Sequence, residues 1–165
     1  MPTLEPGMTA PNFTLADLSG QPHTLSEALR QGPVLLVIWK TSCRTSKTTF
    51  PYLQRLRQAY PQAGWHLWAI GQDPEEAIKT FLGQVGTATF PVLNDYPDYV
   101  VSKLYDPVAT PTLFFVDPDD TIALTAMGFS KEALNGLSDR LAARFGVAPV
   151  VVAPADDGNP PFKPG

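Results

Sequence analysis

The chain has 165 residues, of which 44% are apolar and 17% charged, and its net charge is −4. That is the composition of one soluble globular domain with a packed core, and it excludes an intrinsically disordered chain. Lys and Arg are scattered singly, which excludes nucleic acid or an anionic membrane surface as the main partner, and the longest apolar stretch, Pro33 to Trp39, is too short to span a membrane.

Residues 1–10 read as a loop. Asn12 to Leu15 alternates and predicts a short strand; Ser19-Gly20-Gln21 predicts a turn, and Pro22 to Leu25 a returning strand, together a hairpin. Ser26 is expected to cap one helical turn through Arg30. Pro33 to Trp39 is a continuous apolar, β-branched run, the pattern of a central parallel strand covered on both faces. Arg44 to Tyr60 predicts a helix, with Phe50, Leu53, Leu56 and Tyr60 on one stripe and Pro51 inside it. Trp65 to Ile70 is a second strand.

Asp73-Pro74-Glu75-Glu76 reads as a helix start, with Asp73 as the cap and acids near the positive helix end. That helix is expected to reach Leu82. Phe90 to Leu93 predicts a short strand, Tyr99 to Leu104 a short helix, and Thr112 to Val116 a third core strand. Asp117 to Asp120 is a turn, Thr121 to Ala126 the partner strand, and Ser130 the cap of a helix to Phe145. The last 19 residues carry five of the 18 prolines; Val150 to Val152 predicts an edge strand, and the rest reads as a docked or mobile tail. The expected organisation is a domain over 1–146 and a proline-rich tail over 147–165. The element order implies an α/β architecture with a mixed sheet.

Cys43 is the single cysteine, so a disulfide framework within the chain and a cysteine-rich zinc site are both excluded. It follows the core strand directly and opens the next helix. A thiol there faces unsatisfied backbone N–H groups and the positive end of the helix dipole, and both favour the reactive thiolate. Lys40, Arg44 and Lys47 add positive potential. The neighbours Thr41, Ser42, Arg44, Thr45 and Ser46 are polar, which argues against a buried, inert cysteine.

The stretch LLVIWKTSCRTSKTTFP resembles the active-site segment of thioredoxin-like proteins, closest to the TlpA/ResA-like, AhpC/TSA-related redoxin branch. There a core strand ends in Trp, three residues pass, and a Cys-x-x-Cys opens a helix with a proline five residues after its second cysteine; Trp39, Cys43 and Pro51 hold those positions. The entry APNFTLADLSGQPHTLSE resembles that branch's N-terminal hairpin extension. Ala109-Thr110-Pro111 resembles its cis-proline loop. The resemblance covers residues 8–145. It implies a thioredoxin-like fold, a central mixed β-sheet flanked by helices, and redox chemistry at Cys43. It places Trp39, Thr110 and Pro111 at the substrate groove, Ser46 beside the sulfur, and Lys40 and Arg44 as electrostatic tuning. The bond before Pro111 is expected to be cis.

The second cysteine of the motif is replaced by Ser46, which cannot resolve a mixed disulfide. The buried acid that thioredoxins keep six residues before the first cysteine is Val37 here. The expected function is therefore thiol–disulfide exchange through a single cysteine, with protein or low-molecular-weight thiols and disulfides as partners. One alternative is a one-cysteine peroxidase. Against it, peroxiredoxins carry Pro-x-x-x-Thr-x-x-Cys, and those positions are Leu36 and Lys40, with no arginine near Thr110-Pro111. The other alternative is a binding module whose catalysis has decayed. His23 and His66 are the only histidines and read as surface or half-buried, so no metal is expected, and no cofactor. Trp65, Trp68, Phe114 and Phe115 read as core. No oligomeric state is assigned. Residues 1–10 lack a basic start and an apolar run, so the expected location is cytoplasmic.

Overall fold

The computed structural model describes residues 3–86 and 88–165. Its centre is β3 (Val34–Trp39), in which every residue is buried. Alternation explains why the run is apolar throughout. Val34, Leu36 and Ile38 point to one face of the sheet, where they meet Phe13, Leu25, Leu29, Val101 and Tyr105. Leu35, Val37 and Trp39 point to the other face and meet Phe50, Leu53, Leu56, Ile78, Phe81 and Leu137. Full burial of such a side chain contributes about 1.5–3 kcal/mol, so this strand anchors both layers.

The sheet order is β5-β4-β3-β6-β7, with β4 spanning His66–Gly71, β5 Val92–Asn94, β6 Thr112–Val116 and β7 Ile122–Met127. β3 pairs with β4 in parallel and with β6 antiparallel, so the sheet is mixed. Before it lie the hairpin β1 (Thr14–Ala16) and β2 (Pro22–Thr24) and the short helix α1 (Leu25–Leu29). The cap lies two residues before Ser26: the N-cap is Thr24, and the Ser26 N–H instead donates to Asn12 Oδ1 at 2.8 Å.

Helix α2 (Arg44–Ala59) continues through Pro51 and buries Phe50, Leu53 and Leu56. α3 (Glu75–Val85) has Pro74 as its N-cap with no side-chain capping bond, so Asp73 is not its cap. α4 (Val100–Tyr105) follows β5, and Asp95 serves its first turn, accepting from the N–H groups of Val101 at 3.0 Å and Ser102 at 2.8 Å. After the two-residue β8 (Phe129–Ser130), α5 (Lys131–Phe145) is capped by Ser130, whose Oγ accepts from Ala133 N at 3.1 Å. No described helix is long and apolar enough to cross a membrane.

Residues 147–165 lie against the domain. The edge strand expected at Val150 to Val152 is absent: the Val150 N–H donates to the Tyr60 hydroxyl at 3.1 Å and its carbonyl accepts from Ser138 Oγ at 2.5 Å, which leaves no ladder to join. The strand that forms is β9 (Phe162–Lys163), antiparallel to β8. The intervening turn is clasped by Lys131, whose Nζ donates to Pro154 O, Asp157 Oδ1 and Asn159 O, each at 2.7 Å. Tyr52 donates to the other Asp157 oxygen.

Candidate active site

The antiparallel register of β3 on β6 builds the site. Ile38 pairs with Thr112, so the chain leaving β3 at its carboxyl end meets the loop entering β6. The two loops at that end are 40–43 and 109–111. The first is closed by a hydrogen bond from Cys43 N to Lys40 O at 3.3 Å. The second contains a cis Thr110–Pro111 bond.

Cys43 is the N-cap of α2, in extended backbone conformation, and its sulfur accepts from Ser46 N at 3.4 Å. On its other side the thiol lies 3.1 Å from the Thr110 carbonyl oxygen, to which it donates. Cys43 is half-buried. Ser46 is fully buried beneath it, and its Oγ accepts from Lys40 N at 3.5 Å.

Burial pushes the Cys43 thiol up, but hydrogen bonds from the Ser46 side chain and amide, the Thr110 side chain and the Thr45 amide outweigh it and hold the thiol below its ordinary value. Thr110 acts in both senses, since its carbonyl takes the proton of the neutral thiol while its side chain supports the thiolate. Neither Lys40 nor Arg44, both exposed, is among the groups that set this direction.

Cys43, Ser46, Thr110 and Pro111 thus come together. Trp39 does not join them. It is wholly enclosed, its ring centroid 4.8 Å from that of Phe50 and 4.6 Å from that of Phe81, because it is the last inward residue of β3. It supports the loop from below and does not line the groove. Leu36, one of the positions that a peroxidatic site would use, is inside the sheet, and no arginine among the described residues is hydrogen-bonded to Cys43. His23 bonds to Asp17 Oδ2 at 2.8 Å and His66 to Gln31 at 2.7 Å, and no metal-binding cluster occurs among the described residues.

Two contributors were not legible in the sequence. Asp73 accepts from Thr41 N at 2.7 Å and so ties down the loop before Cys43. Its spacing to Glu75 and Glu76 is a good capping signal, and nothing local reveals a partner 32 residues away. Thr45, inside the Cys-x-x-Ser motif, donates from Oγ1 to Pro164 O at 2.7 Å and brings the tail to the site.

The sequence profile of the AhpC/TSA family matches residues 6–125. The thiol-disulfide oxidoreductase ResA of Geobacillus kaustophilus is 32% identical over 117 residues, which cover 70% of this chain and 66% of the relative. ResA of Bacillus thuringiensis is 32% identical over 132 residues, covering 79% and 75%. The chain thus spans about two thirds to three quarters of these relatives' lengths. Among solved structures, a DsbE-type thiol:disulfide interchange protein from Chlorobium tepidum superposes with a TM-score of 0.75 at 26% identity, over 92% of this chain and all of that one. The thioredoxin-like fold, with its five-stranded mixed sheet and N-terminal hairpin, is the fold of these neighbours.

The cytoplasmic location expected from residues 1–10 is corrected by the same comparisons. A secreted disulfide oxidoreductase of Mycobacterium tuberculosis shares this fold, with a TM-score of 0.64 and 26% identity over 79% of this chain. Kinship with DsbE-type and ResA proteins conflicts with a cytoplasmic assignment. The physical reason for the error is that the compartment is not encoded in the folded domain. A domain with one cysteine has no structural disulfide to report an oxidising environment.

Proposed function

The chain belongs to the AhpC/TSA family, among its thioredoxin-like thiol-disulfide oxidoreductases of the ResA type, and from that premise we propose that it exchanges disulfides through Cys43 alone. The observation that carries the reading is the placement of the sulfur, between the first-turn amide of Ser46 and the Thr110 carbonyl, at a half-exposed helix N-terminus.

The Cys43 thiolate attacks one sulfur of a substrate disulfide. A Cys43–substrate disulfide forms, the substrate S–S bond breaks, and the other half leaves as a thiolate. An external thiolate then attacks the mixed disulfide and frees Cys43. The protein gains no net electrons; they pass from the external thiol to the leaving half. Ser46 and the neighbouring amides stabilise the anion before attack and after release. Thr110 and Pro111 form the floor on which the substrate lies. Lys40 and Arg44, at the rim, favour the approach of anionic disulfides. Protein disulfides and low-molecular-weight disulfides are both within this chemistry, and an extracytoplasmic setting suits it.

The test is mass spectrometry after incubation with oxidised glutathione, followed by an external thiol. One adduct on Cys43, removed by the thiol and absent in Cys43→Ser, is expected. A native protein that forms no adduct would overturn the proposal. Partner capture that survives Cys43→Ser unchanged would instead favour the binding module.

A further inference from the structure

The backbone edge at Thr110 and Pro111 is already occupied by this chain's own tail. β9 runs antiparallel to β8, pairing Lys163 with Phe129 and Phe162 with Ser130, and so is delivered toward the cysteine. Pro164 then accepts from Thr45 Oγ1 at 2.7 Å, and Lys163 Nζ donates to Thr48 Oγ1 at 3.0 Å, which fixes the segment across the first turn of α2. Gly165 ends against Thr110: a Cβ placed on it would collide with the Thr110 carbonyl oxygen and the Ala109 methyl. Gly128, at φ +76, is equally close, and a side chain there would strike the Lys163 carbonyl and Gly165 N. This is backbone-to-backbone packing, closer than any residue with a side chain permits. The Pro111 carbonyl is likewise taken, by Gly128 N at 2.7 Å.

We propose that Phe162–Gly165 is a built-in occupant of the groove beside Cys43 and sets substrate size. This rests on the exchange reading above and names the substrate class it favours. A small disulfide needs only the half-buried Cys43 and not the extended backbone edge at Thr110. An extended peptide or protein disulfide needs the Thr110 edge and must first displace the segment, so its apparent affinity is lowered by the fraction of molecules in which the groove is open. Asp157 holds the tail at a distance from the sulfur, through Lys131 and Tyr52, and is the place to weaken it.

The experiment compares rates of Cys43 mixed-disulfide formation with oxidised glutathione and with an extended peptide carrying one cysteine as its glutathione disulfide. The native chain, Asp157→Asn and Gly165→Val are used. Loss of a charge-assisted hydrogen bond corresponds to about tenfold in an equilibrium, so the peptide-to-glutathione rate ratio is expected to rise about tenfold in Asp157→Asn. Gly165→Val, an exposed substitution outside the core, is expected to raise it in the same direction. An unchanged ratio in both variants, with the native chain reacting normally with oxidised glutathione, overturns the tail assignment alone. A native chain inert to oxidised glutathione overturns the exchange reading and this inference with it.

Discussion

At the scale of the residue, the chemistry depends on how Cys43 is solvated by the protein. Each hydrogen bond to the sulfur favours the anion, and Ser46 supplies two of them, from its side chain and its amide. Ser46→Ala removes the first and keeps the second. The thiol of that variant is expected to titrate higher, closer to free cysteine. A higher titration point lowers the thiolate fraction more than it raises intrinsic nucleophilicity, so adduct formation at neutral pH should slow. Stopped-flow measurement with a chromogenic disulfide checks this. Cys43 was legible because a single cysteine after a core strand has few readings, and Ser46 was reached through the family motif. Their partner Thr110 was reached only through the resemblance, since 67 residues separate it from the sulfur.

At the scale of the element, β3 carries the site. Its six buried residues serve two layers, and its end fixes where Cys43 stands. Leu36→Ala should lower stability by about 2–5 kcal/mol, as expected for a large-to-small change in a closed core, read from the shift of a denaturant unfolding midpoint. The strand was readable because six apolar residues in a row have no other use in a chain of this composition. Helix starts were less so. Asp73 carries every local mark of a cap and instead holds the Thr41 amide. Asp73→Ala is therefore expected to leave α3 in place and to raise hydrogen exchange of the Thr41 amide about tenfold or more, measured by NMR, because that donor loses a charged acceptor. Unchanged exchange at Thr41 would show that the tie contributes nothing.

At the scale of the whole molecule, the tail closes a loop from α5 back to the active site. Its proline content hid this. Prolines break any periodicity that would announce a strand, and the true pairing, β8 with β9, is two residues long. The clasp that secures it is ionic. Hydrogen bonds from Lys131 and Tyr52 hold the Asp157 carboxyl well below the ordinary carboxylate range. A depressed folded-state pKa stabilises the fold above the unfolded value of about 3.9, and that stability is lost as pH falls toward the folded value. Asp157→Asn is thus expected to lower the thermal midpoint at neutral pH, with the gap from the native protein narrowing in strong acid. A gap that stays constant with pH would remove the charge from the account.

The central claim is that the fold presents Cys43 as an accessible, stabilised thiolate, and its most direct measurement is the alkylation rate of the native protein against pH. The rate should rise to a plateau with a midpoint below the value of about 8.5 for a free cysteine. A midpoint at or above that value, or a thiol that does not alkylate until the protein unfolds, would contradict it.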